Sequence, residues 1–429
     1  MTFHFSNGYY LRGYAVVATL TLIFSTAGCS PLHSSDRDQP CSRQAHSAVT
    51  VVPLPGEPFQ AIPTKNGCQI FVSLAGPVEP GDPRRPPRPD APPGGVALVD
   101  RSSGEPRLVR VVTLKGSPYG IVLTHDERTL IVASDDLLAF VDVPQLVSGS
   151  ADPVLGYLTD APLAGRFYVN VTRDDRWVFV SDESERSISV IDLRRARASH
   201  FAASSVIRRI TTGRAPIALT FSPDDKFLYT TSQEAPSSLN WPAVCRAPGS
   251  DTTRFQTTYP QGVVSVLDVQ RAITPSQEPL IAQTPAGCNP VRLAISPEGD
   301  KAYVTARTDN ELLVFDTRQL LSNSGDAPTR IAVGSTPVGV ATLKSGRWIA
   351  VTNSNRFGAS NAPPSVTIID AAKIGLGRSA IVGTLPTGAF PREMSVTRDQ
   401  RTLLLTNFDS KTLAVIDIAR MSDEFMPDP

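Results

Sequence analysis

Histidine is scarce in this chain, five in 429 residues, and none of the five is placed for catalysis. His4 lies in an N-terminal leader, and His33 and His46 precede the first strand-like run. His125 falls in a turn, and His200 follows a strand. A Ser-His-Asp arrangement or a His-rich metal site cannot be assembled from these. No CxxCH haem attachment, no D-x-D-x-D-G calcium loop and no glycine loop for phosphates occurs. No cofactor and no metal is therefore expected. Net charge is also missing: 41 basic residues balance 41 acidic ones, so nucleic acid is not an expected partner. The longest apolar run, Tyr14–Phe24, is too short to span a bilayer.

What is abundant is repetition. Seven times a short β-type run ends in a hydrophobic residue followed by Asp: Asp100, Asp142, Asp192, Asp268, Asp316, Asp370 and Asp417. The intervals are 42, 50, 76, 48, 54 and 47 residues, the period of a propeller or solenoid. Each repeat opens on Gly and, in most cases, Pro: Gly56-Glu57-Pro58, Gly116-Ser117-Pro118, Gly213-Arg214-Ala215-Pro216, Gly287-Cys288-Asn289-Pro290, and then Gly334 and Gly388. The third repeat keeps Gly165 but has Arg166 in place of Pro. A first strand, a polar turn, a second strand, the Asp-ended strand and a fourth strand follow. In repeat two the first three strands are expected at Tyr119–Leu123, Thr129–Ala133 and Leu138–Asp142. In repeat four the first is expected as one run, IALTF. Such a unit cannot bury both faces alone, but packed around an axis seven of them share one core. The 38 prolines and 29 glycines between apolar runs suit many short strands.

The strands AYVTA at 302–306, FLYTT at 227–231 and IAVTN at 349–353, each followed by a hydrophobic-Asp strand, resemble those of the YVTN family of seven-bladed β-propellers. The resemblance covers residues 49–429 and implies an all-β, seven-bladed β-propeller of four-stranded antiparallel blades. The seventh repeat runs out of chain after three strands, while an unmatched strand, Thr50–Leu54, precedes the first. The last blade is therefore expected to be closed by that N-terminal strand, because an open edge is a liability.

The leader carries Arg12, the apolar run and then Ser25-Thr26-Ala27-Gly28-Cys29, the pattern of a secretory signal. A Cys after Ala-Gly resembles the bacterial lipobox. That resemblance implies a signal peptide over 1–28, lipidation of Cys29, a flexible tether over 29–48 and a membrane partner through the N-terminal lipid. The implied location is the bacterial cell envelope, at the outer membrane, facing the periplasm or at the cell surface. Four further cysteines suggest pairing in an exported protein. Strand order places Cys41 and Cys68 at the bottom of the ring, and Cys245 and Cys288 at the top. This favours Cys41–Cys68 and Cys245–Cys288 over the other pairings. The expected state is a monomer.

Three insertions, Ala75–Gly94, Gln233–Gln261 and Asn353–Pro364, all join second to third strands and so share the top face. Insertions gathered on one face often mark the binding face of a repeat protein. The first strands should line the channel, at positions two and four after the Pro: Gln60/Ile62, Gly120/Val122, Tyr168/Asn170, Ala218/Thr220, Arg292/Ala294, Gly339/Ala341 and Glu393/Ser395. Gln60, Tyr168, Asn170, Arg292 and Glu393 are the polar departures. Arg292 and Glu393 could orient a ligand or form an ion pair that organises channel water. Arg166, Arg214 and Arg392 at the top turns would form a positive rim.

Two functions compete. One is a non-enzymatic binding scaffold that uses the top loops and channel to take an envelope protein, a glycan or a small-molecule ligand. The other is a hydrolase resembling the seven-bladed lactonases, with Glu393 as acid/base and Arg292 as electrophile. A quinoprotein-like role is a third possibility, but Trp177, Trp241 and Trp348 form no evident cofactor platform.

Overall fold

The computed structural model describes residues 41, 47–76, 92–160, 165–236, 239, 261–322, 325–358 and 360–426. The leader, Cys29 and most of the tether lie outside the described residues. So do most of the first two insertions, with Trp241 and Cys245.

Seven separate antiparallel sheets account for the strands. The first strands of the blades are Glu57–Pro63, Pro118–Leu123, Arg166–Val171, Arg214–Pro216 with Thr220–Phe221, Pro290–Ile295, Pro337–Leu343 and Pro391–Val396. Neighbouring first strands touch one another, so they surround the axis. The seventh sheet has the order predicted from the missing strand. Val49–Pro53 pairs antiparallel with Thr412–Asp417 as its outer member, with Val49 opposite Ile416 and Val52 opposite Leu413. The Cys41–Cys68 disulfide ties the segment before this latch to blade 1.

The apolar residues of the middle strands pack between blades rather than into one central ball. One cluster joins Phe140 and Leu158 of blade 2 to Val169, Val178 and Val180 of blade 3. Another joins Leu343 and Ile368 of blade 6 to Leu403 and Ile416 of blade 7. Alternation along each strand supplies one face to each neighbour.

The seven Asp residues have one local task. Asp100, Asp142, Asp192, Asp268, Asp316, Asp370 and Asp417 each accept a backbone N–H two or three residues on, at 2.6–3.1 Å. In blades 2, 3 and 4 that bond caps a short helix, Val143–Ser148, Leu193–Ala198 or Val269–Ala272, a contact worth about 1 kcal/mol. The repeat signature is thus a turn-forming device on the bottom face.

The first strands depart from the expected register. Six of them carry a bulge just after the Pro or its counterpart, as between Pro58 and Ala61, Pro290 and Leu293, or Pro391 and Met394. The seventh, expected as a continuous IALTF, is interrupted between Pro216 and Thr220. Two residues then oppose one on the partner strand, so the residue directly after the Pro also turns toward the axis.

Candidate functional site

The extra inward residue fills the top of the channel. Phe59, Tyr119, Phe167, Ile217, Val291 and Val338, one from each of blades 1 to 6, belong to one apolar cluster. Phe59 meets Tyr119 at 5.2 Å and Phe167 at 5.1 Å, both edge-on, and Tyr119 stacks on Phe167 at 5.2 Å. Blade 7 contributes Arg392, whose guanidinium lies 3.9 Å over the Phe59 ring and 5.8 Å from that of Phe167. This aromatic plug was not read from the sequence. Its signal is an aromatic at the same repeat position in three consecutive blades.

The next layer down alternates large and small: Gln60, Gly120, Tyr168, Ala218, Arg292, Gly339 and Glu393. The small members are required. A Cβ on Gly120 would lie 2.8 Å from the Tyr168 Cα, and one on Gly339 would lie 2.5 Å from the Arg392 carbonyl. The large polar members meet across the axis. Arg292 Nε donates to Glu393 Oε1 at 2.5 Å and to the Tyr168 hydroxyl at 3.0 Å, and its guanidinium stacks 4.2 Å from the Tyr168 ring. A second contact joins Arg292 Nη2 to the same carboxylate. Arg292 is 4% and Glu393 6% exposed. Burial works against the Arg292 charge, but Glu393 and Tyr168 outweigh it and hold the group above its ordinary value. Burial pushes the Tyr168 phenol well above 10.0, so it stays protonated and can act as a donor.

Gln60 of this layer and the polar residues two positions further along the first strands join blade to blade. Gln60 Oε1 accepts the Ile121 N–H at 2.9 Å, and Asn170 Nδ2 donates to the Leu219 carbonyl at 2.9 Å. Thr220 and Ser395 donate to Leu293 and Ala61 carbonyls. The Gln60 and Asn170 side-chain amides are thus engaged by the neighbouring first strands.

The rim expected of Arg166, Arg214 and Arg392 reduces to Arg214, which is exposed and pairs with Glu234 at 3.4 Å. Arg166 is fully buried and pairs with Asp160. Asp182, whose charge also acts on Arg166, is pushed above its ordinary value by burial. Arg392 is 8% exposed beneath its rings. The bulges pull these turns inward, and desolvation lowers both arginines.

The outer mouth holds two other arginines. Arg307 directly follows the strand Lys301–Ala306, and Arg356 is exposed on the loop after Trp348–Asn353. Arg307 donates to the side-chain oxygens of Gln233 at 3.2 Å and Asn289 at 2.9 Å. Arg356 lay in a sequence-flagged insertion. Arg307 was missed, although it is the residue immediately after the YVTA strand.

On the bottom face, His125 bonds Asp175 at 2.9 Å, and an open hollow of about 640 Å³ lies among Asp174, Asp175, Arg176, Arg194, Arg197 and Ala198. Cys288 is also a disulfide cysteine. The pairing with Cys245 falls on a residue outside the described ones. Among the described residues no cluster of His, Cys, Asp and Glu could hold a metal, and no helix is long and apolar enough to cross a membrane.

No family model and no curated protein matches the sequence. Among solved structures, the chain is similar to a chain of Kuenenia stuttgartiensis hydrazine synthase, with a TM-score of 0.61 and 17% identity. The match covers 85% of this chain and 96% of that one. At this identity the likeness is one of fold, and it carries the propeller alone.

Proposed function

We propose that the protein is a non-enzymatic, lipid-anchored propeller of the bacterial cell envelope that binds its ligand on the top face. The observation that carries this is the mutual engagement of Tyr168, Arg292 and Glu393 beneath an aromatic plug. An acid/base carboxylate and an electrophilic guanidinium must meet the substrate. Here they meet each other, on the axis, with apolar side chains above them. The lactonase-like alternative would need this pair opened, whereas a binding role uses the mouth above the plug as it stands. The hydrophobic-Asp motif, spent on turns, adds no chemistry.

Two measurements test the proposal with the full-length protein. Hydrolysis of a panel of lactones should not exceed the buffer rate. Turnover that disappears in a Glu393→Gln protein shown to be folded would establish the hydrolase instead. Fractionation should find the chain with the membrane and Cys29→Ala in the soluble fraction. Membrane retention of that variant would remove the lipid anchor.

A further inference from the structure

Three guanidinium groups at the top mouth are separated by aromatic rings and have no acidic partner among the described residues. Phe390 lies under both Arg392, at 5.2 Å, and Arg356, at 4.9 Å. Phe357 lies under Arg356, at 5.0 Å, and Arg307, at 6.0 Å. The order is therefore Arg392, Phe390, Arg356, Phe357, Arg307, running from the plugged axis outward over blades 7, 6 and 5. None of the ion pairs among the described residues uses any of the three arginines. Nε of Arg307 and Nε of Arg392 are buried with no hydrogen-bond partner. The acids that act on the outer two, Glu183 on Arg307 and Asp409 on Arg356, act at longer range. Glu393, next in sequence to Arg392, is engaged with Arg292.

Such a set is costly without an anion. Burial, then Arg356 and Arg292, bring Arg307 down to about 9. Burial, then Arg292 and Arg356, do the same to Arg392. Both remain charged at neutral pH, so like charges crowd one mouth with no paired counter-ion among the described residues. Exposed arginines stacked on rings for solubility would not explain Arg392, which is nine-tenths buried. At 39% exposure Phe357 leaves an apolar wall open to solvent beside Arg356.

We propose that this mouth is a binding site for a small organic anion, a carboxylate or phosphate on a planar apolar body. Arg307, Arg356 and Arg392 supply the charge, the buried Phe390 holds two of them in place, and the exposed Phe357 supplies the apolar wall. Guanidinium forks match both oxyanions, and the exposed part of the Phe357 ring offers apolar surface to a flat group. This site rests on the reading that the top face takes the ligand, and gives that ligand a chemistry.

The test is calorimetric titration of the full-length protein with benzoate, phenyl phosphate, inorganic phosphate and neutral benzamide, repeated with Arg307→Gln/Arg356→Gln. Thermal melting of the variant beside the parent shows that it is folded, so that a loss of binding is a loss of the site. An aromatic anion should bind the parent about tenfold or more tightly than benzamide, in line with a charge-assisted hydrogen bond. The double variant should lose that advantage, and added salt should erode it. Whichever of benzoate and phenyl phosphate binds more tightly identifies the oxyanion. Inorganic phosphate binding as well as phenyl phosphate would overturn the role of the rings. No difference between anion and benzamide, or no change in the variant, would overturn the site. If the probes do not bind but envelope glycan or envelope protein extract is retained equally by parent and variant, the anion site falls and the top-face reading stands. If neither the probes nor the extract binds, both fall.

Discussion

Thr305 shows what the YVT threonine does. The bulge in the first strand takes the Arg292 N–H off the ladder, and Thr305 Oγ1 accepts it at 3.0 Å. The same hydroxyl donates to the Val338 carbonyl of the next blade at 2.8 Å. Thr231, Thr352 and Thr406 repeat both bonds toward Val291, Arg392 and Phe59, and Ser73 repeats them toward Tyr119. Thr305→Val keeps the shape and leaves two buried backbone groups unpaired. It should cost about 1–3 kcal/mol in urea denaturation, with Thr305→Ser recovering most of the loss. An unchanged midpoint for Thr305→Val would show that water replaces the hydroxyl. Another residue-scale effect is set by pH. The Ser222 hydroxyl and Lys226 hold the Asp224 carboxyl at about 2, against an ordinary 3.8. A depressed folded value means that the stabilisation is complete above the unfolded pKa and is lost as pH falls through about 2. Asp224 is half exposed, so the effect is small. Asp224→Asn should be less stable than the parent at pH 6, and the gap should close by pH 2. A constant gap would mean that the carboxylate charge is irrelevant there.

At the scale of strands, the latch is where sequence and structure agree most usefully. Blade 7 lacked a fourth strand by simple counting, and Val49–Pro53 supplies it. The strands of repeat two fall within a residue of the expected limits, because their alternation and Gly-Pro turns are local signals. The bulges were not legible. Gly-x-Pro followed by an apolar residue looks the same in a regular strand, and the displaced amide becomes stable only when the next strand and the next blade cover it. With the bulges went the aromatic plug, the inward swing of Arg166 and Arg392, and the split first strand of blade 4. Arg307 was hidden for another reason. Its neighbours Gln233 and Phe357 come from different blades, and no spacing announces them. The latch also has a measurable edge. Deleting residues 49–54 uncovers Thr412–Asp417, an apolar strand. The truncated protein should melt lower and self-associate with rising concentration, as unpaired edges do. Cys41→Ser/Cys68→Ser, which opens a loop closed over 27 residues, should lose about 3–4 kcal/mol on the chain-entropy estimate. Light scattering and urea denaturation of the two variants beside the parent check both. A monomeric truncation with the parent midpoint would mean that the latch does not close the ring.

The whole ring is joined in two ways that differ in reach. Hydroxyls of Ser73, Thr231, Thr305, Thr352 and Thr406 connect blades 1, 4, 5, 6 and 7 to the next blade, so a local failure can stay local. Tyr168, Arg292 and Glu393 come from blades 3, 5 and 7, no two of which adjoin. Their contact spans the axis and couples blades that share no face. A buried pair of this kind is worth little against an apolar replacement, yet breaking it is expensive, because one charge is left desolvated. Glu393→Gln should therefore cost about 3–5 kcal/mol, while Arg292→Met/Glu393→Leu should recover most of that. A site kept for catalysis would show the opposite economy: Glu393→Gln would relieve repulsive or strained polar groups and raise stability while abolishing turnover. Denaturation of the two variants beside the parent separates the cases. If Glu393→Gln is the more stable protein, the axial pair is held apart from its structural optimum for chemistry, and the hydrolase alternative returns. If the single variant falls and the double recovers, the pair is a keystone, and the binding work of the molecule is left to the arginines above it.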